Sequence, residues 1–188
     1  LTTRHGQLEF MDLLVKYKGR LKLVWMAPPC VTATRAREIR VTKPNEDGDI
    51  IDPKPLRSDQ HPDGLPQLGG KALEKVVAAN VIYQFCVDVA VWCDEHGIPR
   101  VIENPRNSHM WETKSFKSLR DLKWKDKLKK AYARYYFHNC MHGGNRPKRS
   151  ALMAAKFDLT SIEVACDGKC VHARWGWHKR IKGGWATG

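Results

Sequence analysis

No apolar run in the chain reaches the roughly 18 residues that a membrane span needs. The N-terminal stretch, broken by Arg4, His5, Glu9 and Asp12, lacks the apolar stretch of a signal peptide. No membrane partner is expected, and the chain reads as soluble and intracellular, with the compartment open. Acidic residues are scarce: 20 Asp and Glu against 33 Lys and Arg leave a formal charge of +13. That field attracts polyanions, and nucleic acid, DNA before RNA, is the first partner it suggests; an acidic neighbour in an assembly would serve equally. There is no internal repeat and no C-x2-C pair. The six cysteines, without a secretory signal, read as buried thiols, a nucleophile or metal ligands rather than a disulfide framework.

What is present fits one globular domain: 188 residues, 42% of them apolar. The first residue is Leu1 rather than methionine, which reads as a processed product or a piece of something larger. Apolar spacing over residues 8–17 predicts a helix ending near Gly19, where glycine can take a left-handed cap. Leu21 to Met26 reads as a strand buried on both faces of a parallel sheet, stopped by Pro28 and Pro29, which cannot donate to a ladder. Lys71 to His96 is the clearest helix, ended by Gly97, with Asn80, Gln84 and Asp88 in one polar line. Arg100 to Glu103 then reads as the second strand of a β-α-β unit. Further strands are expected at Tyr132 to Asn139 and Ser150 to Ala155.

Between the first strand and the long helix, residues 31–70 show no period and hold Pro44, Pro53, Pro55, Pro62 and Pro66. A loop of this length is usually functional or disordered, and Arg35, Arg37, Arg40, Arg57 and His61 make it a candidate ligand-contacting arm. Lys114 to Lys130 carries eight basic residues against Asp121 and Asp126. It reads either as a solvated helix face or as a phosphate-contacting surface.

Parallel strands joined through a helix end on the same edge of their sheet, the edge where open α/β folds bind ligands. Cys30, just past the first strand, and Glu103, at the end of the second, are thereby placed on one side. Each has a plain alternative, a packed thiol for Cys30 and a cap or ion-pair partner for Glu103. Together they suit nucleophilic attack by a thiolate, with Arg35, Arg37 or Arg106 as the cations that favour it, and a carboxyl group that holds or donates a proton.

Pro28-Pro29-Cys30 and Glu103-Asn104-Pro105 resemble the Pro-Cys loop and the Glu-Asn motif of the cytosine-C5 methyltransferase family, which follow that family's fourth and fifth strands. Gly143-Gly144-Asn145-Arg146-Pro147-Lys148-Arg149 is similar to its arginine-bearing turn before the seventh strand. The extended forms, through Thr34-Arg35-Ala36-Arg37 and Ser108-His109-Met110-Trp111, look like a divergent branch of viral or mobile-element type. The resemblance covers roughly residues 20–155. It implies a Rossmann-like, mostly parallel methyltransferase sheet, with S-adenosylmethionine as cofactor and cytosine in nucleic acid as substrate. Cys30 would attack C6, Glu103 would protonate or hydrogen-bond N3, and Arg146 or Arg149 would steady the adduct. Pro29, Asn104, Arg35, Arg37 and Arg106 would lie on the substrate side, and the base would leave its stack to reach Cys30.

The family's glycine-bearing cofactor turn has no counterpart before Leu21. The sheet is then incomplete: the sequence is a fragment, works with a second chain carrying the missing half, or is a catalytically silent basic DNA- or RNA-binding scaffold. Residues 1–158 are assigned to the partial methyltransferase-like domain and 159–188 to a Cys/His/Trp-rich tail. In that tail Cys166, Cys170, His172 and His178, with Cys140 as an alternative, have the donor types of a tetrahedral zinc site around a turn at Gly168. Two buried thiols beside surface histidines are the other reading. Trp175, Trp177 and Trp185 either stack on bases or pack the metal's shell.

Overall fold

The long apolar helix predicted from residue 71 is the spine of the fold. In the computed structural model, which describes residues 1–40, 44, 48, 50, 53–121 and 132–172 with the backbone of 177–179 and 185–187, α2 spans Gly70–Glu95. Gly97, at φ 73°, takes the left-handed conformation just past its end. The helix buries Val76, Ala79, Tyr83, Phe85, Val87, Val89 and Ala90. In length and composition α2 could cross a membrane, although isolated polar residues keep it from forming one continuous apolar run. Yet 44% of its most apolar 18-residue window is buried within the protein, as in the core helix of an α/β domain.

Four strands, β1 (Val24–Met26), β2 (Arg100–Pro105), β3 (Ala133–His138) and β4 (Arg149–Ala155), form one sheet in the order β1-β2-β4-β3, and the backbone of 177–179 pairs antiparallel with that of 185–187 in a separate two-stranded sheet. β1 and β2 are parallel, with Met26 opposite Ile102. β4 runs antiparallel to both β2 and β3. The α/β class and the β-α-β crossover are as expected, whereas a mostly parallel sheet is not: of the four-stranded sheet's three pairings, only β1 with β2 is parallel. For β3 and β4 the physical reason is their ten-residue connection, shorter than the dozen or more residues that a parallel crossover needs. β1 also departs from expectation. It is an edge strand of three residues, and its Trp25 is exposed, so it is not buried on both faces.

α1 (Arg4–Tyr17) starts earlier than the apolar spacing suggested, because the hydroxyl of Thr3 accepts a hydrogen bond from the Gly6 amide at 3.3 Å. Its end is a 3-10 turn, Lys18–Arg20, with no left-handed glycine at Gly19. Only Leu14 is buried; Leu8, Leu13 and Val15 are exposed, and Phe10 meets Phe85 of α2 edge-on at 5.8 Å. At the C-terminal end of α2, Arg100 is fully buried and donates from Nε and Nη2 to the two carboxylate oxygens of Asp94, each at 2.8 Å. This bidentate pair fixes the helix end against the first residue of β2.

Around Arg57, the part of the predicted arm that leads into α2 is pinned to that helix rather than held out. Arg57, expected to contact ligand, is 1% exposed. It donates to Thr32 Oγ1, the Pro62 carbonyl and Asn80 Oδ1, and its guanidinium lies over the Tyr83 ring. The polar line on α2 supplies part of this anchorage through Asn80, which donates to the Asp63 carbonyl, while Gln84 accepts from Ser115 in the helix that follows β2. Residues 114–121 of the basic window form α3 (Lys114–Asp121), which buries Phe116 and Leu119; the remainder, 122–130, lies outside the described residues.

Candidate functional site

The crossover brings the ends of β1 and β2 to one edge, and hydrogen bonds shape the turn that follows β1. Asn104, buried on β2, donates from Nδ2 to the Pro28 carbonyl at 2.8 Å. Tyr83 donates its hydroxyl to the Pro29 carbonyl at 2.9 Å. The Cys30 carbonyl accepts from the amides of Ala33 and Thr34, both at 2.8 Å. Together these contacts fix the backbone on either side of Cys30.

Glu103 faces the same place. Its Oε1 accepts from Lys148 Nζ at 3.2 Å and from the Ser150 hydroxyl at 3.0 Å. Burial pushes the Cys30 thiol above its ordinary range, Lys148 pulls it down and Glu103 pushes it up. A thiol, a carboxylate and an ammonium thus form one electrostatic unit. Burial, the largest of the three influences, favours the protonated thiol, with the cation opposing it and the carboxylate reinforcing it. Cys86 and Cys93, pushed up by burial to about 12 and about 11, have the inertness of packed core thiols.

The structure distributes the predicted arginines differently. Arg35 donates from Nε to the Asn107 carbonyl at 3.0 Å and forms ion pairs with Asp59 and Glu38. Arg37 donates to the Lys54 carbonyl at 3.1 Å. Arg106 lies over the Tyr136 ring at 4.6 Å. Arg146 is half-buried in the turn before β4. Arg149 is exposed at the start of β4, paired in register with His138, and strand alternation turns it away from the face of Ser150. The cation that acts on Cys30 is Lys148. Nothing in the sequence alone singles out Lys148 within its turn; the available signal is its two-residue spacing from Ser150.

A staple holds the segment after Cys30 to the exit of β2. The Ala33 carbonyl accepts from the His109 amide at 2.9 Å, and buried His109 places Nε2 2.7 Å from Glu38 Oε1. Thr34 accepts from the Ala36 amide and opens the 3-10 turn Arg35–Glu38.

A second cluster forms where the tail returns to the sheet. Cys140, on the 3-10 turn Asn139–His142, meets Cys166, Cys170 and His172, one donor atom from each lying within 4.8 Å of all the others. Cys166 Sγ is 3.6 Å from His172 Nε2 and accepts from the Gly168 amide at 3.4 Å. Gly168, at φ 82°, provides the left-handed turn. That amide draws the Cys166 thiol below its ordinary range, while the hydrogen bond with Cys166 pushes Cys170 up to about 11 and burial raises Cys140. Neighbouring thiolates repel, and a cation among them relieves the conflict. Three sulfurs and one imidazole suit a metal such as zinc. Cys140 fills the place considered for it in the sequence, while the side chain of His178, like those of Trp175, Trp177 and Trp185, lies outside the described residues. Compared with known proteins, the chain matches no family model, no curated protein and no solved structure, which leaves the geometry of these two clusters to carry the functional reading.

Proposed function

We propose that the chain carries the base-attacking half of a cytosine-C5 methyltransferase-like site acting on nucleic acid, with Cys30 as nucleophile and Glu103 as proton donor. The four-stranded sheet is read as the later part of a Rossmann-like methyltransferase sheet. The observation that supports this best is the meeting of Cys30, Glu103 and Lys148 at the edge where two adjacent parallel strands cease to pair. In the proposed step the Cys30 thiol gives its proton to the Glu103 carboxylate as its sulfur bonds to C6, the C5–C6 π pair shifts through C5 and C4 onto N3, and Glu103 passes the proton on to N3. Lys148 favours the thiolate, and Arg146, in the turn before β4, steadies the adduct, a role the outward-facing Arg149 is not placed to share. Formal charge of +13 favours the polyanion, DNA before RNA.

S-adenosylmethionine supplies an electrophilic methyl group where it is bound. The described residues do not fit it: the segment ahead of β1 is α1 and a 3-10 turn, with no strand and glycine-bearing turn to receive a nucleoside. Methyl transfer therefore calls for a second chain or a further segment carrying that half. The raised Cys30 thiol favours a second reading, a basic nucleic-acid-binding scaffold with a silent site.

Attack by Cys30 is testable without the methyl donor. An oligonucleotide carrying a pyrimidin-2-one, whose C6 is more electrophilic than that of cytosine, should form a denaturation-resistant adduct that maps to Cys30 and disappears in Cys30→Ser. Salt-dependent binding without any adduct, unchanged by Cys30→Ser, would establish the scaffold reading. Labelled S-adenosylmethionine with DNA or RNA then asks whether the chain alone transfers a methyl group.

A further inference from the structure

We infer that Cys140, Cys166, Cys170 and His172 bind one zinc-class divalent cation in a closed structural site, and that this cation sets the turn that holds Lys148 and Ser150 against Glu103. The inference does not depend on any chemistry at Cys30. Its first support is the donor set. Tetrahedral zinc with Zn–S bonds of about 2.3 Å places its ligand atoms roughly 3.5–3.8 Å apart; here the four donors already lie within 4.8 Å of one another, and the Cys166–His172 contact is 3.6 Å. Four protein donors leave no open position, so the site is structural rather than catalytic.

The second support is what surrounds the donors. The Cys166 amide donates to His138 Nδ1 at 3.0 Å, and the His138 amide donates to the Val164 carbonyl at 3.0 Å. This joins the ligand segment to the end of β3. Within that segment Val171 is 97% exposed, and among the described residues none from 163 to 172 belongs to either apolar core cluster. With so little apolar burial, metal ligation is the available source of order.

The third support is a short path to the other cluster. Asn139, next to Cys140, donates its amide to the Lys148 carbonyl at 2.9 Å, and its carbonyl accepts from the Gly144 amide at 2.9 Å. The Asn139 side-chain oxygen lies 3.1 Å from the Ser150 hydroxyl, which is 3.0 Å from Glu103 Oε1. Fixing Cys140 on the metal thus fixes the residue that sets both Lys148 and Ser150.

The test uses the full chain, purified under reducing conditions. Elemental analysis should give about one zinc per chain. Replacement by Co²⁺ should give the visible bands of a tetrahedral site together with thiolate-to-metal charge transfer. Cys140→Ser and His172→Ala should each weaken Co²⁺ binding at least tenfold, while His61→Ala, remote and exposed, leaves it unchanged. After chelation, hydrogen exchange should quicken in residues 139–150 and stay slow in α2, which separates local loosening from unfolding. Substoichiometric metal without the Co²⁺ spectrum, in a protein whose α2 is protected, would overturn the site. Stoichiometric metal whose removal leaves exchange in 139–150 unchanged would overturn its link to Glu103.

Discussion

Asn104 and Pro28, far apart in the chain, are joined by a 2.8 Å hydrogen bond from the buried amide to the proline carbonyl. The bond ties the end of one parallel strand to the turn that carries Cys30. Asn104→Ala leaves that carbonyl without its donor, at a cost of about 1–3 kcal/mol. The expected result is a lower denaturation midpoint together with faster alkylation of Cys30. Equal destabilisation with unchanged alkylation would show that Tyr83 and the Ala33 and Thr34 amides hold the turn without Asn104.

Alkylation of Cys30, followed by mass spectrometry of its peptide, also reports on the two charges beside it. Lys148 lowers the thiol's pKa and Glu103 raises it. Lys148→Met should therefore shift the alkylation profile to higher pH and slow the reaction near neutrality, whereas Glu103→Gln should shift it to lower pH. Matching shifts in both variants would mean that packing rather than charge controls the thiol.

The crossover was legible because its signals are local: a wide apolar helix, Gly97 at its end and prolines after β1. The edge position of β1 was not, because a three-residue strand has too few residues to show which face is exposed; Trp25 reads as apolar wherever it sits. Cys30 and Glu103 could be placed on one edge from topology alone. Lys148 could not be preferred over Arg146 and Arg149 until the start of β4 was known, since a one-residue change of register exchanges the faces. Arg57 misled for a related reason. An arginine in a proline-rich segment looks free to meet a ligand, but this one finds its acceptors on Thr32, Pro62 and Asn80, contacts that exist only once the segment folds onto α2.

The buried Asp94–Arg100 pair should show the asymmetry of buried charges. Asp94→Ala strands a guanidinium with no exposed surface and is expected to cost about 3–5 kcal/mol in urea unfolding. The double variant Asp94→Leu/Arg100→Met removes both charges and should recover most of that loss. If the double variant is as unstable as the single one, the pair's geometry matters more than its charge.

Acid sensitivity should include a contribution from Glu112, whose two carboxylate oxygens accept from Arg120 at 2.9 and 3.1 Å. The Arg120 hydrogen bonds hold its pKa below the ordinary carboxylate value. A depressed folded-state pKa gives stability that is present above the unfolded value, about 4.3, and is lost as pH falls through the folded one. Glu112→Gln should therefore lower stability at pH 7 slightly and converge with the parent in strong acid. Half exposure keeps the effect small, as for other surface ion pairs. Parallel stability curves for the two proteins through the acid range would refute the contribution.

Gly144 offers the sharpest steric test of the link between the two clusters. A Cβ at this position would lie 2.8 Å from the Asn139 carbonyl oxygen and 3.1 Å from its carbon. Both are backbone atoms, so relief requires moving the turn. Gly144→Ala should cost about 1–3 kcal/mol, as overpacking does, and displace Asn139, on which Lys148 and Ser150 both depend. Gly143→Ala serves as the comparison: nothing lies within 4 Å of its added Cβ, and only its φ of 84° opposes the change. If displacement of Asn139 reaches Glu103, Gly144→Ala should alter both the pH profile of Cys30 alkylation and the affinity for Co²⁺, while Gly143→Ala lowers stability alone. Equal effects of the two variants on alkylation and metal affinity would place the sensitivity in turn strain, and the path through Asn139 would then have no part in joining the clusters.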